Sequence, residues 1–241
     1  MSFLDKLKKK TGRRPYCSAL IAAAGSSNRM GGENKLLLPL GGKPVIAHTL
    51  QAIEQAESID EIIIAAREVD LVTFAELCKI YGITKPVKVI VGGATREESV
   101  LRAALEANPN AELLAVQDGA RPLVTPELID RTVRAAAGSF AAAPAIPVHD
   151  TVKIAEHGLV RETPDRSMLF AVQTPQVFDA GLLKAALQSA LDAGAAMTDD
   201  CSAVERLGKE VYLTEGSQEN LKITTPIDMI IAEAILAHRD F

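Results

Sequence analysis

Short apolar runs alternate with helical segments along most of the chain, and this alternation is the strongest constraint on its fold. SALIAA at Ser18–Ala23 and EIIIAA at Glu61–Ala66 are nearly continuous apolar runs. Between them, Pro44–Gln55 has proline at the first turn of a predicted helix. Apolar strands separated by helices are typical of parallel sheets covered on both faces. The sequence therefore predicts an α/β fold, with a mostly parallel sheet and helices on both faces.

The same alternation extends to the end of the chain. Further strands are predicted at Val87–Val91, Leu113–Gln117, Phe140–Val148, Met168–Val172 and Val211–Leu213. Further helices are predicted at Val69–Tyr81, Arg96–Ala107, Pro126–Ala137, Ala180–Ala193, Asp200–Leu207 and Pro226–His238. We expect one domain over residues 16–241.

The alternation is interrupted at residues 150–166. Two strand-like pieces, Val152–Ala155 and Leu159–Glu162, flank a His157-Gly158 turn. This pattern predicts an extended hairpin. Because the hairpin has too few apolar residues for a core of its own, we expect it to pack on a partner.

Charge and composition exclude several classes of function. The chain has a net charge of −5, although its first fourteen residues are basic, so the remainder is strongly acidic and poorly suited to nucleic acid. Aromatic residues make up only 4% and tryptophan is absent, which argues against base-stacking surfaces. We interpret residues 1–15 as a solvated, disordered basic tail. No apolar run is long enough to span a membrane. The three scattered cysteines favour a reducing cytoplasm.

Parallel sheets bind ligands beyond the carboxyl ends of their strands. Four predicted strand ends carry small or polar residues: Ala22–Gly25, Gly92–Arg96, Asp118–Arg121 and Pro147–Asp150. The Asp199-Asp200 pair fits either a metal site or a helix cap.

The segment AAAGSSNRMGGENK at Ala22–Lys35 directly follows a buried strand. Small residues let the backbone approach a ligand, and successive N–H groups can hold phosphate oxygens. Arg29 and Lys35 add two positive charges. The segment lacks the GK[ST] of a P-loop and the GxGxxG of a dinucleotide loop. These residues alone leave a phosphate-binding loop and a flexible surface loop equally open.

Five motifs in a fixed order are more specific. AAAGSSNRM, DGARP, DTVK, TPQ and NLKIT follow one another along the chain. In this order the sequence resembles the 2-C-methyl-D-erythritol 4-phosphate cytidylyltransferase family, from about Cys17 to Ala237. The resemblance implies transfer of a cytidylyl group from CTP to that phosphorylated polyol. It also implies a Rossmann-like sheet with a protruding β-arm at residues 150–166, through which a homodimer forms. Mg²⁺ is expected to be carried mainly by the CTP phosphates rather than by assigned protein ligands.

The resemblance also implies a role for individual residues. Cations that stabilise the transition state are expected at Arg29, Lys35 and Lys222. CTP contacts are expected at Ala23, Ala24, Gly25, Gly93, Ser99 and Asp118. Acceptor contacts are expected at Arg121, Thr151, Arg166, Thr174, Thr198 and Thr224. Among these, Arg166 is expected to reach across the dimer to the acceptor phosphate.

Two positions depart from the family pattern. The span from Arg29 to Lys35 is one residue shorter than in some members, and Ala94 stands where some members have an acidic residue. Ribitol 5-phosphate cytidylyltransferase is the nearest alternative, and a non-catalytic nucleotide-binding module is the second. A sugar-nucleotide or molybdopterin nucleotidyltransferase would explain the first loop but not TPQ and NLKIT.

Overall fold

The computed structural model describes residues 13–25 and 34–239. The strands are β1 Cys17–Ala23, β2 Pro39–Leu40, β3 Lys43–Pro44, β4 Glu61–Ala66, β5 Val87–Val91, β6 Leu113–Asp118, β7 Ala141–Pro147, β8 Ile154–Glu156, β9 Leu159–Glu162, β10 Phe170–Val172, β11 Gln176–Asp179 and β12 Tyr212–Glu215. The α-helices are α1 Val45–Gln55, α2 Leu71–Ile80, α3 Arg96–Glu106, α4 Pro126–Ser139, α5 Ala180–Asp192, α6 Asp200–Arg206 and α7 Pro226–Arg239.

One eight-stranded sheet organises the chain, in the order β10-β7-β11-β6-β1-β4-β5, with β12 added beside β7. Strands β5, β4, β1 and β6 are parallel neighbours. Strand β11 lies antiparallel between β6 and β7, and β10 is antiparallel to β7. Since β12 is parallel to β7, only β10 and β11 run against the other six strands. The predicted mostly parallel sheet is confirmed.

Strand side chains alternate between two apolar cores, one on each face of the sheet. Ile62 and Ile64 belong to the core that helices α1, α2 and α4 cover, whereas Ile63 belongs to the core under α3, α5 and α6. All three isoleucines are fully buried. The layered arrangement with helices on both faces follows from this alternation, as the sequence predicts.

Two predicted elements begin later than predicted, each after a 3₁₀ turn. Helix α2 begins at Leu71, because Glu68–Asp70 forms a 3₁₀ turn instead of the first helical turn. Strand β10 begins at Phe170, after a second 3₁₀ turn at Arg166–Met168 that the Asp165 side chain caps. In both places a 3₁₀ turn replaces the first residues of the predicted element.

The predicted hairpin is present as β8 and β9, a separate two-stranded antiparallel sheet. Its two turn residues, His157 and Gly158, both have positive φ angles of 50° and 79°, which is typical of a type I′ turn. Its apolar side chains are open to solvent in the single chain: Leu159 is 65% exposed and Val160 is 59% exposed. The arm therefore contributes little to the core of its own chain.

Candidate active site

The carboxyl ends of β1, β5 and β6 meet at one edge of the sheet and border a cleft of about 340 Å³. Ala22 pairs with Asp118 and Ala66 with Val91, so these strands end at the same level. The lining residues are Ala22, Ala23, Ala24, Gly25, Lys35, Leu36, Gly93, Ala94, Thr95, Arg96, Ser99, Asp118, Ala120 and Lys222. The cleft thus brings together residues from three of the predicted strand ends.

Close packing joins the first loop to the loop after β5. A Cβ atom on Gly92 would lie 2.6 Å from the Cβ of Ala24 and 2.9 Å from the Ser99 hydroxyl oxygen. Real Cβ atoms essentially never approach so closely, so glycine is required here for the two loops to touch. The small residues of this motif shape the floor of the cleft.

Ser99 is buried beside the cleft and supports the Gly93 turn. Its hydroxyl accepts a hydrogen bond from the Gly93 N–H at 2.9 Å and donates to the Thr95 carbonyl at 2.7 Å. Thr95 in turn caps helix α3 through its side chain. Ala94 has no acidic side chain, but the carboxylate of Glu98 lies beside it and accepts a hydrogen bond from the Ala94 N–H at 2.8 Å.

Asp118 ends β6 and is the charged centre of the cleft, with only 6% of its surface exposed. Its Oδ2 lies 2.9 Å from Lys222 Nζ and 3.4 Å from Arg121 Nε, and its Oδ1 lies 3.8 Å from Arg96 Nη2. Burial raises the pKa of Asp118, but Lys222, Arg96 and Arg121 outweigh it and lower the pKa below its ordinary value. Asp118 is therefore an ionised carboxylate at neutral pH.

Lys35 reaches the same region from the other side of the cleft. Its Nζ donates to the Ile223 carbonyl at 2.7 Å, next to Lys222 in the chain. Two lysines distant in sequence therefore line one small cleft, an arrangement that suits a polyanion. Arg29, the third predicted cation, lies outside the described residues.

The TPQ motif, Thr174 to Gln176, fixes the backbone of Asp118 by a hydrogen bond. The buried Thr174 hydroxyl accepts from the Asp118 N–H at 3.1 Å, and the Thr174 carbonyl accepts from Asn220 Nδ2 at 3.0 Å. Arg121 donates to the Asn220 carbonyl at 2.6 Å. Thr174 and Arg121 were predicted to contact the acceptor; both are buried here, and their polar groups join the DGARP, TPQ and NLKIT motifs.

Thr224 is likewise engaged within the chain. The Asp228 carboxylate accepts hydrogen bonds from the Thr224 hydroxyl, the Thr224 N–H and the Thr225 N–H, each at 2.7 Å. Asp228 lies in the first turn of α7. This cluster fixes the segment that carries Lys222 and the Ile223 carbonyl.

Three predicted acceptor residues lie apart from the cleft. Thr151 and Arg166 belong to the arm, and Thr198 precedes α6; all three are exposed and none lines the cleft. Arg166 Nη1 donates to the His149 carbonyl at 2.8 Å. A single chain thus presents a cleft at the sheet edge, while Thr151 and Arg166 of the arm and Thr198 lie outside its lining.

The sequence left a metal site and a helix cap open for Asp199-Asp200, and the structure shows a helix cap at Asp199. Asp199 caps α6 and forms a capping box with Ser202, whereas Asp200 is fully buried and accepts from Arg96 Nη2 at 2.7 Å. Over residues 13–25 and 34–239, no group of three or more His, Cys, Asp or Glu side chains could hold a metal ion. In the same ranges, no helix has the length and apolar character that crossing a membrane requires.

Sequence reasoning missed Arg96, Asp200, Gln176, Asn220 and Asp228 as residues that shape the site. The Arg96–Asp200 contact spans 104 positions, so spacing could not have revealed it. The only available signals were the position of Arg96 at a predicted strand end and the paired acids themselves.

Known proteins resemble the chain over nearly its whole length. The model of the family described as 2-C-methyl-D-erythritol 4-phosphate cytidylyltransferase matches residues 17–238. A protein of that name from Bacillus thuringiensis (strain Al Hakam) is 46% identical over 218 residues, which cover 90% of this chain and 96% of the relative. Another from Halalkalibacterium halodurans is 45% identical and covers 92% and 98% of the two chains. The crystal structure of 4-diphosphocytidyl-2C-methyl-D-erythritol synthase from Anaerococcus prevotii matches with a TM-score of 0.84 at 32% identity, over 92% of this chain and 99% of that one.

Proposed function

The chain belongs to the 2-C-methyl-D-erythritol 4-phosphate cytidylyltransferase family, and from this premise we propose how its residues perform the reaction. The protein is a nucleotidyltransferase that transfers a cytidylyl group from CTP to 2-C-methyl-D-erythritol 4-phosphate in isoprenoid biosynthesis. The products are CDP-methylerythritol and pyrophosphate. The observation that carries our assignment of roles is the cluster of Lys35, Lys222 and Asp118 in one cleft at the sheet edge.

The chemistry requires charge control more than proton transfer. An oxygen of the acceptor phosphate forms a bond to the α-phosphorus of CTP, while the bond from that phosphorus to the β-phosphate bridging oxygen breaks. Because the second pKa of a phosphate monoester is about 6, the attacking oxygen is already ionised at neutral pH and needs no general base. The enzyme must instead bring two anions together and stabilise the charge that moves onto pyrophosphate.

We assign the nucleotide half of the site to the cleft. Lys35 and Lys222, with Arg29 as a further predicted cation, stabilise the triphosphate and the transition state. The backbone at Ala23, Ala24 and Gly25 approaches the nucleotide. Gly93, supported by Ser99, faces the base, and ionised Asp118 accepts hydrogen bonds from the ribose hydroxyls.

We assign the acceptor half to Thr151 and Arg166 of the arm and to Thr198 before α6. Thr151, Arg166 and Thr198 are exposed and apart from the cleft of their own chain, which supports their pairing with the cleft of a partner. The exposed apolar side chains of β8 and β9 support a homodimer formed through residues 150–166. Arg121, Thr174 and Thr224, which the resemblance assigns to the acceptor, instead hold Asp118 and the segment of Lys222 through hydrogen bonds within the chain.

Mg²⁺ is proposed to arrive with CTP. Asp118 is the only carboxylate among the described residues that line the cleft, and it is already paired with Lys222 and Arg121. This donor set fits Mg²⁺ held mainly by phosphate oxygens and water, the usual arrangement for nucleotide-bound magnesium. The ion would supply charge neutralisation of the triphosphate. A cytoplasmic location stays a prediction, supported by three free and buried cysteines.

The test is pyrophosphate release from CTP and Mg²⁺ with 2-C-methyl-D-erythritol 4-phosphate and ribitol 5-phosphate in separate and competing reactions. We expect the methylerythritol phosphate to be used preferentially. Preference for ribitol 5-phosphate would change the assigned acceptor. CTP binding without pyrophosphate release with either acceptor, in folded and magnesium-replete protein, would favour a non-catalytic nucleotide-binding module.

A further inference from the structure

Arg96 lines the nucleotide cleft and lies between two buried carboxylates. It is the first residue of α3, directly after the Gly93 turn. Its Nη2 atom is 2.7 Å from Asp200 Oδ2 and 3.8 Å from Asp118 Oδ1. One guanidinium therefore connects the centre of the cleft to the first residue of helix α6.

The far end of this connection is rigidly held. Gln176 Oε1 accepts hydrogen bonds from the Asp200 and Cys201 N–H groups, each at 3.0 Å, and Gln176 Nε2 donates to Asp199 at 2.8 Å. Gln176 follows Thr174, whose hydroxyl holds the Asp118 N–H, by two residues. Thr174 thus restrains the backbone of Asp118, and Gln176 of the same motif acts on its carboxylate indirectly, through Asp200 and Arg96.

The Arg96–Asp200 pair is poorly arranged for a stabilising role. Asp200 is fully buried, and within the part of the chain that the structure describes, Asp200 Oδ1 and Arg96 Nη1 have no hydrogen-bond partner. Burying an ion pair with unsatisfied polar atoms costs more free energy than apolar side chains of similar size would. A role in positioning neighbouring residues therefore explains the Arg96–Asp200 pair better than a contribution to the free energy of unfolding.

We propose that Arg96, fixed by Asp200, is a positioning residue that orients the Asp118 carboxylate and the adjacent Gly93 turn for CTP. This inference rests on the proposed function, because it concerns the nucleotide half of that site. Arg96 acts through Asp118 and α3, so its loss weakens CTP recognition and leaves the acceptor half unchanged. A purely structural pair would instead affect folding without changing the KM of either substrate.

The decisive variant replaces both charges with apolar side chains, as Arg96→Met with Asp200→Leu. Apolar replacement of a buried ion pair is often neutral or stabilising, so we expect this double variant to fold with a Tm near that of the wild type. We expect kcat/KM for CTP to fall about 10- to 100-fold, mainly through KM for CTP, since small misplacements of binding groups have effects of this size. KM for the acceptor should not change. Wild-type kinetics for CTP in the folded double variant would overturn the proposal.

A conservative variant covers the case in which the double variant does not fold. Arg96→Lys keeps the charge but cannot span both carboxylates with a planar guanidinium, so we expect KM for CTP to rise about 10-fold. An unchanged KM for CTP in Arg96→Lys would also overturn the proposal. The matched control is Lys88→Met with Glu106→Leu, which removes a pair at the other end of α3, where the two side chains lie 3.5 Å apart and half-exposed. The control should retain wild-type KM values.

Direct CTP binding separates failure of this inference from failure of the proposed function. Isothermal titration with CTP and Mg²⁺ needs no turnover, and the Kd should rise about 10-fold in Arg96→Lys, because a lysine does not reproduce the position of the guanidinium between the two carboxylates. If the wild-type protein binds CTP but does not release pyrophosphate, the proposed function fails while this comparison still decides the role of Arg96. An unchanged Kd in the variant rejects the positioning role by itself.

Discussion

At the scale of single residues, Asp118 shows how neighbouring charges decide what a buried group can do. A carboxylate with so little exposed surface would normally favour the protonated form. Three cations reverse this tendency, and the hydroxyl of Thr174 fixes the backbone N–H of the same residue. The outcome is a fixed negative charge next to Lys222, which suits the recognition of hydroxyl groups that we propose for Asp118.

Lys35→Ala tests the role of a single cation in the cleft. We expect kcat to fall by about two to three orders of magnitude, the usual effect of removing one preorganised charge-stabilising group. Steady-state pyrophosphate release with saturating substrates measures the change. Lys209→Ala removes an exposed lysine after α6 and serves as the control, with wild-type kcat expected. A near wild-type rate for Lys35→Ala would exclude Lys35 from the mechanism.

The resemblance assigns Thr174 to acceptor binding, whereas its hydroxyl accepts a hydrogen bond from Asp118 in the structure. Thr174→Val distinguishes the two roles. The hydroxyl is buried and holds the Asp118 N–H, so we expect the free energy of unfolding to fall by about 1–3 kcal/mol when this donor loses its partner. Chemical denaturation measures that loss, and Thr174→Ser should restore it. A raised KM for the acceptor with unchanged stability would instead support direct contact with the acceptor.

At the scale of elements, the sequence predicted the long strands better than the short ones. Strands β1, β4 and β6 are buried on both faces, so their apolar runs are continuous and visible. Strand β11 has only four residues and begins and ends with polar side chains, and it was not predicted. It forms because β6 and β7 pair with it on both sides, which is a tertiary effect that no local pattern encodes.

As with the strands, only part of the candidate site could be predicted from the sequence. The resemblance to a family identified Lys35, Lys222 and Asp118, which the structure brings together, because each lies in a recognisable motif. The connection from Asp118 through Arg96 to Asp200 was missed, since its members are far apart in sequence and only folding makes them neighbours. Ser99 was predicted, but its hydrogen bonds to the Gly93 turn depend on the geometry of the α3 cap.

The arm makes a prediction at the level of an element. Leu159 and Val160 are exposed in the single chain, and a partner arm would bury them. We expect Leu159→Lys with Val160→Lys to shift the protein from dimer to monomer, because charged side chains oppose burial in an apolar interface. Sedimentation velocity measures the assembly state. Val69→Lys, at a site that is 80% exposed before α2, is the control and should leave assembly unchanged. A double-lysine protein that stays dimeric would place the interface elsewhere.

At the scale of the whole molecule, one chain presents two groups of polar residues that do not meet. Lys35, Lys222 and Asp118 line the cleft at the sheet edge, whereas Arg166 is exposed at the end of the arm and contacts His149. In a twofold dimer, each arm would reach the partner by the same operation, so two equivalent composite sites would form. Activity would then depend on assembly even though every nucleotide-binding group of a site comes from one chain.

Mixed dimers provide the test of a shared site. Lys35→Ala disables the cleft, and Arg166→Ala disables the acceptor residue that we assign to the partner. After the two inactive variants are unfolded together and refolded in equal amounts, half of the dimers contain one chain of each, and each of these has one intact site. We therefore expect recovery of about a quarter of wild-type activity.

The matched control mixes Lys35→Ala with Lys222→Ala. Both lysines line the cleft of a single chain, so every site in every mixed dimer keeps one defect, and activity should not recover. Native mass spectrometry confirms that mixed dimers have formed in both experiments. Absence of recovery in confirmed Lys35→Ala and Arg166→Ala dimers would locate both halves of the site in one subunit, and Arg166 would then have to reach the cleft of its own chain by a movement of the arm.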